Sequence, residues 1–115
     1  MDLVADIEAM QAELAGWRRD LHAHPELGFE ENRTADFVAA QLDSCGVRVY
    51  RGIGQTGLVG VLREGNAPRS IGLRADMDAL PILEQNTFDH CSTYQGTMHA
   101  CGHDGHTVML LAAAK

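Results

Sequence analysis

The chain has 115 residues, 45% of them hydrophobic, which is enough for one small domain with an apolar core. Nine basic and sixteen acidic side chains give a net charge of −7, which disfavours nucleic acid or an anionic membrane surface as a partner, and no apolar run approaches the ~20 residues that span a bilayer. Three cysteines without regular spacing argue against a disulfide framework and favour a reducing cytoplasm.

Two helices are predicted in the first part of the chain. Between Leu3 and Leu21 the apolar residues alternate spacings of four and three, which places one apolar stripe along a helix. A surface helix packed on a core explains the stripe, and a coiled-coil seam is the alternative. Pro25 ends this helix, because the residue before a proline avoids the α region. A second helix is expected from Glu31 to Cys45, with Asn32 as its N-cap and Gly46 just after its end.

Short apolar runs in the middle of the chain predict strands over residues 47–51, 58–62 and 71–75. Such runs suit strands buried on both faces, so the predicted fold class is α/β, a layered sheet with flanking helices. An apolar, alanine-rich run from Thr107 to Ala114 predicts a third helix. Because the chain stops at Lys115 inside that helix, we expect residues 1–115 to be the N-terminal piece of a larger protein.

Residues 98–107 contain three histidines, a cysteine and an aspartate. His99, Cys101 and His103 are spaced two apart, so in an extended backbone they project to one side. Thiolate and imidazole groups suit zinc, and also cobalt or nickel, better than magnesium or calcium. A metal site, a nucleophilic thiol and a polar structural loop all remain open, and a metal site would need further ligands from elsewhere.

Two aspartates follow the predicted strand 71–75. Asp76 and Asp78 lie where ligands gather in open α/β sheets, and there they could bind a metal or orient a ligating histidine. Turn formation before Pro81 explains them equally well. His22 and His24 end the first helix, and we interpret them as cations near the negative end of the helix dipole rather than as ligands.

Four segments carry a family resemblance. They are Trp17–Glu31 (WRRDLHAHPELGFEE), Gly54–Gly57 (GQTG), Ile71–Pro81 (IGLRADMDALP) and Met98–His106 (MHACGHDGH). In this order they resemble the M20 metallopeptidase family, in particular the amidohydrolase branch of hippurate hydrolases, N-acyl-amino-acid amidohydrolases and auxin-conjugate hydrolases. The resemblance extends from about Met10 to Lys115.

The resemblance implies that residues 1–115 are the N-terminal portion of a zinc-peptidase-like catalytic domain, without the inserted domain that the family uses for dimerisation. It implies a site for two divalent metal ions (zinc, manganese, cobalt or nickel), with Cys101 and His103 as ligands. Asp78 stands in the place of the family's aspartate, and an outer role that orients a ligand is expected for it. The remaining ligands, a glutamate and two histidines, and the general base, a glutamate, would follow Lys115.

The activity implied is metal-dependent hydrolysis of the amide bond in N-acyl amino acids by a full-length protein that forms homo-oligomers. The substrate-binding residues are not identified by the sequence. The alternative is a non-catalytic metal-binding or interaction fragment. The 115-residue chain alone is expected to be inactive, because two of about five ligands hold a metal weakly.

Overall fold

A computed structural model describes residues 1–115, and its longest element is helix α1, Leu3–Ala23. The Asp2 side chain caps this helix by accepting hydrogen bonds from Val4 N and Ala5 N, both at 3.2 Å. The helix ends two residues before Pro25, as predicted from the proline. None of the helices is both long and apolar enough to cross a membrane.

The apolar stripe of α1 is buried only in the second half of the helix. Leu14 and Leu21 form a core cluster with Val108 and Ala112, while Leu3 near the start of the helix is 67% exposed. The predicted surface helix is therefore confirmed for the packed half. Trp17, the aromatic residue on this face, is partly buried and packs against the core cluster.

Trp17 lies at the junction of the three helices. Its ring meets the ring of Phe37 edge to face, with centroids 6.1 Å apart, and the Lys115 ammonium lies 5.6 Å from the Trp17 ring centroid. Edge-to-face aromatic pairs and cations over an indole ring are both favourable contacts. Trp17 thus contacts α2 on one side and the end of the last helix on the other.

Helix α2, Asn32–Ser44, has a different N-terminal cap from the one predicted. Asn32 is the first helical residue, so its assignment as N-cap is wrong, and Glu31 at the cap position makes no side-chain capping bond. The Glu26 carboxylate caps the helix instead, accepting from Arg33 N at 3.0 Å and from Thr34 N at 2.6 Å. The missed cap lies well before the helix in sequence and reaches it because the chain reverses after Pro25.

Helix α2 ends as its sequence indicates. Cys45 is the C-cap, and Gly46 follows with a φ of 77°, in the left-handed region that favours glycine. The turn leads into strand β1, Arg48–Ile53, which pairs antiparallel with β2, Gly57–Val61. Two of the three predicted strands are thereby confirmed, each within about two residues of its expected position.

The sheet is smaller and more exposed than predicted. It has two strands, and α2 packs against it, with Gly60 so close that a Cβ there would lie 3.2 Å from Leu42 Cδ1 of α2. The expectation of strands buried on both faces is wrong for this hairpin, whose residues are mostly exposed. A two-stranded ribbon has two unpaired edges, and one helix covers only part of one face.

The predicted strand 71–75 is also wrong, because these residues form no strand. Ile71 is 86% exposed and Leu73 is 66% exposed. An apolar run becomes a strand only where a neighbouring strand supplies its hydrogen bonds, and no strand of this chain pairs with this segment.

Helix α3, His103–Ala114, begins four residues earlier than predicted. Gly102 precedes it with a φ of 86°, so the chain turns sharply at this glycine and enters the helix directly. His103 is therefore the first helical residue and not the end of an extended run. The mixed α/β composition is confirmed, with three helices and one sheet.

Candidate metal centre

Backbone hydrogen bonds bring together the two segments with the candidate ligands. Ala79 N donates to Glu26 O at 2.8 Å, and Leu80 and Met98 exchange bonds of 2.9 and 3.0 Å. The chain just after Asp78 is thus fixed beside the segment that leads into α3. This pairing places Asp78 opposite the first turn of α3.

The His103 side chain meets Asp78. His103 Nδ1 lies 2.8 Å from Asp78 Oδ1 and 3.1 Å from the Asp78 carbonyl oxygen, and the imidazole is 17% exposed. Both oxygens accept, so Nδ1 carries a proton, and in the neutral ring the lone pair is then on Nε2. A histidine held by a carboxylate in this way is typical of metal ligands, because the carboxylate fixes the tautomer and the ring orientation.

Cys101 lies on the turn before α3 as an exposed, free thiol. An exposed thiol and an imidazole with a free Nε2 are the donors that zinc and similar ions prefer, so these residues fit part of a ligand set. No group of three or more histidine, cysteine, aspartate or glutamate side chains converges in the chain as a metal site. Cys101 and His103 stay predicted ligands, and no third donor converges with them in this chain.

The two aspartates after residue 75 have different surroundings. Asp78 faces His103, whereas the Asp76 carboxylate is 53% exposed and meets only the Arg74 guanidinium, at 3.4 Å. The backbone of Asp76 is anchored instead, because the Thr107 hydroxyl donates to its carbonyl oxygen at 3.2 Å. Of the two, only Asp78 can orient a ligand on α3.

A second carboxylate lies near Asp78. A Cβ on Gly28 would be 3.8 Å from Glu31 Oε1 and 4.0 Å from Asp78 Oδ2, so both carboxylates approach the same point. Glu31 is 6% exposed, and it accepts from Phe29 N at 3.0 Å and from the Thr56 hydroxyl. These bonds tie the glycine-rich loop between the strands to the turn before α2.

The structure corrects the interpretation of His22. This histidine is 8% exposed, with Nδ1 2.9 Å from Asp104 Oδ2 and Nε2 2.9 Å from Glu84 Oε2. It is thus a buried bridge between two carboxylates and not only a cation at a helix end. His24 does behave as predicted, with its Nδ1 bonded to the Asp20 carbonyl oxygen at 2.7 Å. No sequence pattern indicates the bridge, since the two carboxylates lie far from His22 along the chain.

The bridge changes the protonation of its members. Burial alone would lower the pKa of His22, but the hydrogen bonds to Glu84 and Asp104 outweigh it and raise that pKa. Burial likewise opposes ionisation of Glu84, and the bonds from His22, Asn86 and Ser92 N prevail and lower the pKa of Glu84. Both shifts favour the ionised forms, an imidazolium on His22 and a carboxylate on Glu84.

His99 lies next to this bridge without a partner. It is 5% exposed, its ring centroid is 6.5 Å from that of His22, and neither ring nitrogen makes a hydrogen bond. Burial lowers the pKa of His99, in spite of the opposing charge of Asp104, so the ring is neutral. The structure thus separates the three candidates in this segment: His103 is held by Asp78, Cys101 is exposed, and His99 is enclosed.

Several known proteins are similar in sequence to this chain. The profile of peptidase family M20/M25/M40 matches residues 72–115. The chain is 51% identical over 115 residues to a hippurate hydrolase of Campylobacter jejuni and 48% identical over 109 residues to an N-acyl-L-amino acid amidohydrolase of Geobacillus stearothermophilus. These matches cover 100% and 95% of the chain, but in each case 30% of the relative.

A solved structure shares the fold. The crystal structure of the Bacillus subtilis YXEP protein, a dinuclear metal binding peptidase from the M20 family, superposes with a TM-score of 0.85 at 38% identity. The match covers 90% of this chain and 30% of that one. The predicted fold class, the N-terminal part of a catalytic domain of this type, is thereby confirmed.

Proposed function

Since the chain belongs to peptidase family M20 and spans about 30% of the length of its relatives, we propose that the full-length protein is a metal-dependent amidohydrolase. Its substrates are N-acyl amino acids of the hippurate type, whose amide bond it hydrolyses. The observation that carries the proposal is the bond from His103 Nδ1 to Asp78, which leaves Nε2 available for a metal, two residues after the exposed Cys101.

In this proposal Cys101 and His103 hold the metal. A bound divalent ion polarises an amide carbonyl and makes water a nucleophile near neutral pH. Asp78 holds the proton of His103 on Nδ1, so in the neutral ring Nε2 has the lone pair that can bind a metal, and the ring keeps its direction. Gly102 lies between Cys101 and His103 in sequence, and its left-handed backbone makes a sharp bend between these two residues.

The finer features of the full-length protein are part of the same proposal. We propose a site with two divalent ions, drawn from zinc, manganese, cobalt and nickel, because a thiolate and an imidazole suit this class of metal. We propose a homo-oligomer and a cytoplasmic location, the latter supported by three free cysteines. Elemental analysis of protein purified without added metal tests the first, and sedimentation tests the oligomer.

The activity is tested by hydrolysis of N-benzoylglycine and other N-acyl amino acids, with and without a chelator. Cys101→Ala and His103→Ala should abolish turnover, whereas Cys91→Ala and His24→Ala should retain it. His24 is a suitable control because its ring bonds to the Asp20 carbonyl oxygen at the end of α1 and contacts neither candidate ligand. Turnover that survives both the chelator and the Cys101 substitution would contradict the proposal.

A second candidate concerns the 115 residues on their own, as a non-catalytic metal-binding or interaction fragment. It is favoured by the absence of a third converging ligand in this chain. Two ligands bind a metal weakly, because affinity depends on a complete and fixed set. Hydrolysis of an N-acyl amino acid by the purified 115-residue chain would exclude this candidate.

A further inference from the structure

The first turn of α3 is held from two directions. His103 bonds to Asp78, and its neighbour Asp104, 1% exposed, bonds to His22 on α1. Consecutive residues of an α-helix point about 100° apart. Two bonds at this angle fix both the position of the turn and its rotation about the helix axis.

His22 must donate from both ring nitrogens. Its two partners, Asp104 Oδ2 and Glu84 Oε2, are carboxylate oxygens, and an ionised carboxylate can only accept. The Asp104 carboxylate also accepts from Gly105 N at 2.9 Å and lies 3.6 Å from Arg18 Nε. Asp104 thus joins the backbone of α3 to side chains of α1.

We propose that His22 is a positioning residue for the metal site, which acts through Asp104 to set the direction of His103 Nε2. This inference rests on the proposed function. His22 contacts neither candidate ligand, and its effect passes through the rotation of the first turn of α3.

The second nitrogen of His22 has a separate role. Glu84 also accepts from Ser92 N at 2.7 Å and from Asn86 Nδ2 at 2.9 Å, so the bond from His22 Nε2 stabilises the loop that contains residues 84–92. None of these contacts reaches α3. The metal site therefore depends on the Nδ1 bond, and the loop depends on the Nε2 bond.

Two substitutions separate the bonds. The amide nitrogen of asparagine replaces Nδ1 of histidine, and the amide nitrogen of glutamine replaces Nε2. His22→Asn retains a donor to Asp104, whereas His22→Gln retains a donor to Glu84. His24→Asn and His24→Gln are matched controls, because His24 lies at the same helix end and bonds only to Asp20.

The measurement is cobalt(II) binding by the full-length protein, read from the thiolate-to-metal absorption band and the ligand-field bands. His22→Gln should weaken binding ~10-fold and shift the ligand-field bands, since outer partners of ligands have effects of this size. His22→Asn and both His24 variants should match the wild type. Asp104→Asn should weaken cobalt binding, and Glu84→Gln should not. These two variants keep the test available if a His22 variant does not fold.

Equal weakening by His22→Asn and His22→Gln, or no weakening by either, would overturn the inference. Weakening by Glu84→Gln as large as that by Asp104→Asn would overturn it too. A wild-type protein that binds no cobalt refutes the proposed function itself, and that result is distinct from a wild type that binds while His22→Gln binds equally well.

Discussion

Replacement of Asp78 by alanine should weaken metal binding without removal of a ligand. The substitution deletes the carboxylate that accepts from His103 Nδ1 at 2.8 Å. The Asp78 carbonyl oxygen remains 3.1 Å from the same nitrogen, so part of the orientation of the ring survives. Loss of such a partner typically costs 10–100-fold in affinity, and the surviving bond points to the lower end, about 10-fold or ~1.4 kcal/mol.

Competition with a chromophoric chelator, on the full-length protein, measures this change. Asp76→Ala is the matched control, because Asp76 lies two residues earlier, is exposed, and meets only Arg74. Asp78→Asn should fall between wild type and Asp78→Ala, since its amide oxygen still accepts but has no charge. The reasoning is refuted if Asp78→Ala and Asp76→Ala bind metal with equal affinity.

Three further predictions concern stability, each measured by urea denaturation. The folded-state pKa of His22 is raised, so the stabilisation from its ionic bridge is fully present below the ordinary histidine pKa of 6.5 and is lost as the pH rises through the folded-state pKa. The difference between wild type and His22→Gln should shrink over that range, and a pH-independent difference would argue against the bridge. Leu21→Ala, at a position 1% exposed, should lower the free energy of unfolding by about 2–5 kcal/mol. Leu3→Ala, at a position 67% exposed, should lower it by less than ~0.5 kcal/mol. Similar losses at both positions would contradict the described core. Glu26→Ala should destabilise α2 by about 1–2 kcal/mol, whereas Asn32→Ala should have little effect, and the reverse order would favour Asn32 as the cap.

Local patterns predicted the helices well. The spacing of apolar residues and Pro25 located α1, and Gly46 marked the end of α2, because each signal acts within a few residues. Helix α3 was predicted to begin too late, since its first turn, with His103 and Gly105, has a polar and flexible composition. The bonds from His103 to Asp78 and from Asp104 to His22 hold this turn in place, and neither partner is near it in sequence.

The long-range features could not be predicted from patterns. His22 meets residues 62 and 82 positions away, and no spacing rule reaches across such distances. An orienting role for Asp78 was expected, but no local pattern identifies His103, 25 positions away, as its partner. Residues 71–75 have the composition of a strand, but strand formation depends on a neighbour that the segment itself does not specify.

The chain has a single tryptophan, and its surroundings make it a natural reporter. Trp17 contacts Phe37 of α2 and the ammonium of Lys115, the residue after α3, so its emission is sensitive to movement of either helix against α1. Helix α3 begins at the candidate ligand His103. A shift of this helix would therefore change the indole fluorescence and also the position of the His103 side chain. An unlabelled sample can thus be followed optically while metal is added or removed.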